Sequence, residues 1–339
     1  MIMKIYRVII TILIFFILTA CTSTRLTPIS QPKPSSTQKE SRQTPPASTV
    51  PVGEATVTSP LPSTTLIQPT KTTSPILSPS PTSTNSPGLR VLPPVPQAVV
   101  FYAEDGQMLQ GLYYAASVNP APTVVLMHWA GGDQRDWFEI AYWLQNRGLG
   151  GNKSNPQNRP WLDSSWFPPL PEGKSFAVFT FTFRNCVGGC QVFEPDKWLL
   201  DARAAILKAS QLEGVDPRRI VSVGASIGAD GAPDSCYWLN IQSPNSCLGA
   251  LSLSPGNYLT VHYADAVKYL GDEQSPKLAW CLFSTQDPVS TSVCNAANGT
   301  NYQKYEYKED LHGMLLIQPG YKPPALQLLL DFLNLVFGS

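Results

Sequence analysis

The chain has 339 residues, 43% of them hydrophobic and 14% charged, with 24 basic and 24 acidic side chains. The apolar content excludes a wholly disordered protein, and no internal repeat of about 20–50 residues is present, which excludes a solenoid or propeller. Residues 1–20 carry two basic and no acidic residues, and residues 22–95 carry six and two, leaving 16 basic against 22 acidic in 96–339. This mildly acidic body lacks the basic face that displaces counterions from phosphates, so no nucleic-acid partner is expected.

Lys4 and Arg7 precede Val8–Ala20, a run that is apolar except for Thr11 and Thr19. The run is too short to span about 30 Å of hydrocarbon as a helix, but it has the size of a signal-peptide core. It ends in Leu18-Thr19-Ala20-Cys21, which resembles the lipobox of bacterial lipoproteins. That resemblance implies removal of residues 1–20, lipid modification of Cys21, and export to the outer face of a cell-envelope membrane. The alternative is an uncleaved anchor with an incidental cysteine. Residues 22–95 hold 15 Pro, 13 Ser and 15 Thr and no aromatic residue. Such a segment buries too little apolar surface to offset its ordering entropy, so 21–95 reads as the lipidated Cys and a semi-stiff disordered linker. Residues 96–339 are long enough for one sizeable core.

Six cysteines remain beyond Cys21: Cys186, Cys190, Cys236, Cys247, Cys281 and Cys294. An even number in an exported chain suggests disulfides. Sequence alone does not choose their connectivity; joining neighbours gives Cys186–Cys190, Cys236–Cys247 and Cys281–Cys294. The competing metal reading is weak, because Cys186 and Cys190 have no zinc-knuckle spacing and no nearby His.

Along the body, Val99–Ala103 and Leu109–Ala115 read as paired strands around Glu104-Asp105-Gly106. Thr123–His128 is a β-branched run without alternation, as for a strand buried on both faces. It leads to Gly131-Gly132 and to Asp133, an N-cap for a helix with Trp137, Ile140, Ala141 and Leu144 on one face and Gly148 as its stop. A Pro/Asn/Trp-rich insertion, 149–173, follows. Strands are expected at Ser175–Phe183, Arg219–Val223, Leu248–Leu253, Lys277–Ser284 and Tyr302–Tyr307. Helices are expected at Trp198–Leu212 and Pro323–Phe337, and Val215-Asp216-Pro217 reads as a turn. Alternating strands and helices imply a mostly parallel sheet with its chemistry at the carboxyl ends of the strands.

Gly224-Ala225-Ser226-Ile227-Gly228 is G-x-S-x-G, and it directly follows an apolar strand. A tight strand-to-helix turn there would aim the Ser226 hydroxyl outward. A hydroxyl needs a base within hydrogen-bond reach to act as a nucleophile. Of His128, His262 and His312, only His312 lies in a loop after the last strand; His262 reads as structural. The base needs an anion on its other nitrogen. Asp287 follows a strand and precedes Pro288, whereas Glu309 and Asp310 read as solvated.

Ser226, Asp287 and His312, each after a strand and in that order, resemble the α/β-hydrolase superfamily over residues 98–338. Within it, the short connections resemble dienelactone-hydrolase-like and carboxylesterase-type members. The resemblance implies an α/β-hydrolase fold without a large cap domain. His128-Trp129-Ala130-Gly131-Gly132 matches the family's turn after the third strand, with Trp129 in place of the usual Gly. It implies an oxyanion hole from the backbone N–H of Ala130 and Ile227, with His128 bracing the loop. Pro233 implies a short or kinked helix after the nucleophile. The insertion is expected at the amino ends of the strands, away from the site, as a structural or partner surface. Arg184-Asn185 are expected to line the rim of an open site.

The expected activity is cleavage of carboxylic esters through an acyl-enzyme, on a small or polymer-borne acyl substrate, with no metal or organic cofactor. Peptidase or acyltransferase chemistry on the same residues is the second reading. A non-catalytic surface binding module is the third, since fold does not fix function. Oligomeric state is not legible in the sequence.

Overall fold

The computed structural model describes residues 91–153 and 158–338. The signal segment, Cys21 and linker residues 22–90 lie outside the described residues, as do 154–157 of the insertion.

Among the described residues, eight strands form one sheet: β1 (Gln97–Tyr102), β2 (Met108–Tyr114), β3 (Ala121–Met127), β4 (Ala177–Thr182), β5 (Val215–Ala225), β6 (Cys247–Leu253), β7 (Leu278–Ser284) and β8 (Tyr302–Tyr307). Their order is β1-β2-β4-β3-β5-β6-β7-β8. β1 and β2 form an antiparallel hairpin, and β2 also runs antiparallel to β4. All other neighbours are parallel. The apolar runs expected to be buried on both faces fill the centre: Val124, Val125, Leu126 and Met127 of β3 are all fully buried. Edge strand β1 instead alternates between buried and exposed positions, as a strand with one wet face does.

Six helices flank the sheet among the described residues: α1 (Phe138–Gln145), α2 (Pro195–Ser210), α3 (Ile227–Gln242), α4 (Tyr263–Asp272), α5 (Pro288–Ala296) and α6 (Ala325–Phe337). α1 and α6 pack on one face; α2 to α5 pack on the other. This mostly parallel eight-stranded sheet between two helical layers is the expected α/β-hydrolase fold. Residues 254–277, which join β6 to β7, contain only a loop and α4, so no cap-sized domain interrupts the described body.

Several local expectations change. Val215-Asp216-Pro217 is not a free turn but the start of β5, where Val215 pairs with Ala121 before a register shift. The shift absorbs Pro217, which has no N–H for a regular ladder. Asp133 caps a short 3-10 turn, Gln134–Trp137, that leads into α1. α1 ends at Asn146, which takes the left-handed conformation (φ 50°) before Gly148 is reached.

The helix after Ser226 is not short: α3 runs for 16 residues through Pro233. Proline cannot donate to the carbonyl four residues earlier. That carbonyl belongs to Ala229, and it accepts the Ser252 hydroxyl from β6 at 2.8 Å. The Ser222 hydroxyl of β5 similarly reaches the carbonyl of Ala232 at 2.6 Å. The Ser252 hydroxyl thus replaces the bond that the proline removes. Ser252→Ala would orphan a buried carbonyl and is expected to cost about 1–3 kcal/mol, read as a lower urea midpoint with an unchanged slope. An unchanged midpoint would contradict this account of α3.

Candidate active site

β5 enters a turn in which backbone meets backbone. A Cβ on Gly224 would lie 1.9 Å from the Gly228 carbonyl oxygen, and one on Gly228 would lie 2.4 Å from that of Met127. No other residue permits this approach. Ser226, between the two glycines, is held at φ 53°, a left-handed conformation that costs a non-glycine residue of order 1 kcal/mol or more. The surrounding structure fixes it: its N–H donates to Leu253 at 2.9 Å, and its carbonyl accepts from Ala229 and Asp230 at the start of α3.

Asp287 is the N-cap of α5, accepting from the backbone N–H groups of Val289 and Ser290. Its Oδ2 also accepts the Ser290 hydroxyl at 2.6 Å. Burial by itself would raise the Asp287 carboxyl, but the bonds from His312 and Ser290 outweigh it and hold the group below the ordinary carboxylate range. Asp287 is therefore an anion at neutral pH. His312 lies in the loop after β8, with Nδ1 2.7 Å from Asp287 Oδ2 and Nε2 2.9 Å from Ser226 Oγ. An anion on Nδ1 fixes the proton there and leaves Nε2 to accept from the serine hydroxyl. The three side chains are thus joined in one hydrogen-bonded line, with the imidazole one-third exposed. Glu309 and Asp310 are exposed, and His262 is an exposed residue at the start of α4.

Of the two expected oxyanion donors, Ile227 directly follows Ser226. Ile227 opens α3, where an N–H has no intrahelical partner. Ala130 is fixed through its carbonyl, which accepts from Cys190 N–H at 2.8 Å. His128 is fully buried behind that turn. Its Nε2 accepts from Phe183 N–H at 3.0 Å, so Nδ1 carries the proton and donates to the Trp129 carbonyl at 2.7 Å. Burial depresses its pKa to about 4.

All three neighbouring cysteine pairs lie at bonding distance, with S–S separations of 2.09, 2.03 and 1.97 Å for Cys186–Cys190, Cys236–Cys247 and Cys281–Cys294. The first closes the loop after β4 that holds Ala130. The second ties α3 to β6, and the third ties β7 to α5 on either side of Asp287.

Two expectations about the surroundings of the site are corrected. Arg184 does not line the mouth: it is buried and forms ion pairs with Asp201 at 2.6 Å and with Asp105. With Asn185 it borders a cavity of about 470 Å³ that also involves Gln107, Asp133, Arg135 and Thr182 and none of Ser226, Asp287 or His312. Nor does the insertion stay away from the site. Trp161 and Arg159 both donate to buried Asp136, which also receives Trp129 Nε1 at 2.7 Å. The Trp161 ring sits edge-on to Trp129 at 5.8 Å. Trp129 in turn adjoins Ser226 across Gly313. The insertion thus buttresses the turn that carries Ala130.

Sequence reading missed two residues beside the serine, Asp230 and Tyr258. A signal existed for the first, an acid one turn into the helix after the nucleophile motif. Among the described residues no group of His, Cys, Asp or Glu side chains is arranged to hold a metal ion.

No protein-family model and no curated protein matches the sequence. Solved structures do. Esterase Pf2001 of Pyrococcus furiosus is 16% identical over 72% of this chain and 94% of its own, with a TM-score of 0.48. A 2,6-dihydroxy-pseudo-oxynicotine hydrolase is 12% identical over 72% of this chain and 68% of its own, at 0.49. An acetyl xylan esterase from Paenibacillus sp. R4 is 17% identical over 70% and 83%, at 0.46. Likeness at this level assigns neither substrate nor reaction.

The buried neutral His128 sets a pH dependence. Its folded pKa lies below its unfolded value of 6.5, so its contribution to stability is complete above that value and is lost as pH falls from 6.5 toward 4. The stability difference between wild type and His128→Gln is expected to shrink by of order 3 kcal/mol across that window. Urea melts of both proteins at the two ends check it; a pH-independent difference would contradict the assignment.

Proposed function

We propose that the chain is a serine hydrolase cleaving carboxylic esters through an acyl-enzyme. The observation that carries this reading is the line from Asp287 through His312 to Ser226, at 2.7 and 2.9 Å, ending on a serine in a strained turn. Ser226 Oγ attacks the carbonyl carbon while His312 Nε2 takes its proton. Asp287 holds the imidazole and balances the imidazolium charge. The N–H groups of Ala130 and Ile227 receive the developing oxyanion, where one lost donor costs about 10²–10³ in rate. His312 returns the proton to the leaving oxygen, and water then releases the acyl group by the same route.

The address belongs to the same proposal. Residues 1–20 direct export, Cys21 carries the lipid, and residues 22–95 hold the hydrolase body away from the outer face of a cell-envelope membrane. Paired cysteines suit that oxidising setting.

Ser226→Ala and His312→Ala are each expected to reduce p-nitrophenyl butyrate turnover by at least about 10⁴-fold, with circular dichroism spectra and melting temperatures close to wild type. Undiminished turnover by Ser226→Ala would end this reading.

A further inference from the structure

Tyr258 has no part in the steps above, yet it packs against the base that is hydrogen-bonded to the serine. Its ring meets the His312 ring edge-on, with centroids 6.1 Å apart, and His312 Nε2 lies 2.9 Å from Ser226 Oγ. It lies in the loop after β6, in Ser254-Pro255-Gly256-Asn257-Tyr258.

That loop is built around one buried acid. Asp230, in the first turn of α3, accepts Gly256 N–H at 3.2 Å and Tyr258 N–H at 2.5 Å. Asn257 takes a left-handed φ of 56° and accepts Tyr263 N–H at the start of α4 at 2.8 Å. Thr260 donates to Asp196 of α2. The tyrosine ring folds over Gly256, where a Cβ would lie 2.2 Å from Tyr258 Cζ. The helix that begins at the nucleophile therefore also anchors the loop that brings Tyr258 to the His312 ring. Burial pushes the Tyr258 phenol up to about 12, so it is a protonated donor at neutral pH.

We propose that Tyr258 is a further catalytic residue, whose hydroxyl donates a hydrogen bond to the leaving-group oxygen as its bond to the carbonyl carbon breaks. The proposal rests on the hydrolase reading. In acylation the Ser226 Oγ–carbon bond forms and the serine proton passes to His312 Nε2. The carbon–oxygen bond of the leaving alcohol then breaks, its electron pair stays on that oxygen, and the oxygen takes the proton from Nε2. To do so it must lie close to both Nε2 and Oγ, beside the imidazole against which Tyr258 packs. Tyr258 keeps its own proton throughout. Its bond strengthens as negative charge grows on the oxygen. An alkoxide-like leaving group, with its charge on one atom, gains most. A nitrophenolate spreads that charge over the ring and gains little.

Tyr258→Phe removes the hydroxyl and keeps the ring. The purified chain and this variant are assayed on ethyl butyrate and p-nitrophenyl butyrate. Phosphonylation of Ser226 by a fluorophosphonate is followed in parallel. The variant is expected to lose about 10²-fold in kcat/KM on ethyl butyrate and only slightly on the nitrophenyl ester. The ratio of the two losses does not depend on the folded fraction. Equal losses on both esters, or none on either, would overturn the proposal while leaving a Ser226-dependent hydrolase in place. A wild-type chain that turns over neither ester and is not phosphonylated would remove the hydrolase reading, and Tyr258's role with it.

Discussion

A backbone contact that admits no side chain governs the carboxyl edge of this sheet. Gly224 meets the carbonyl of Gly228, and Gly228 meets that of Met127. β3, β5 and α3 therefore cross almost in van der Waals contact. The residue caught between them cannot relax to an ordinary φ, and its side chain is expelled from the turn. Ser226 occupies that position at φ 53°. Its strain is small beside the core on either side, and it orients a hydroxyl without relying on a flexible loop. The same crossing sets where His312 and Asp287 must arrive, because their loops leave strands whose register is fixed by β5 through β6 and β7.

Around this crossing, loops are held by buried polar side chains that bond to backbone or to other loops. His128 links the Trp129 carbonyl to Phe183. Asp136 gathers Trp129, Trp161 and Arg159. Asp201 fixes Arg184 in its backbone and side chain alike. Asp230 gathers the loop that ends at Tyr258. Burying such groups is costly unless their hydrogen bonds are made, so each cluster is committed to one arrangement. On the proposed hydrolase reading, such clusters would keep the donors aimed before any substrate arrives, which electrostatic stabilisation of a transition state requires.

The strand framework was legible because unbroken β-branched runs such as Thr123–His128 can be buried on both faces and little else explains them. Ser226, His312 and Asp287 were legible because each follows a strand, and parallel strands end on one edge. The errors have a common physical source. Pro233 reads as shortening its helix until Ser252, from a neighbouring strand, supplies the missing hydrogen bond. Arg184 reads as a rim residue until Asp105, 79 positions away, claims it. The insertion reads as remote until Trp161 and Arg159 close on Asp136. In each case the deciding partner is distant in sequence and polar, so neither periodicity nor turn chemistry reveals it. Tyr258 escaped notice for the same reason, since its placement follows from Asp230 and from no motif of its own.

The central claim is that this crossing makes one hydroxyl in the chain reactive. Treating the folded protein with a fluorophosphonate and mapping the adduct by mass spectrometry tests it most directly. The account predicts a single stoichiometric adduct on Ser226 that disappears when the protein is unfolded beforehand. An adduct on another residue, or none on the folded chain, would contradict it.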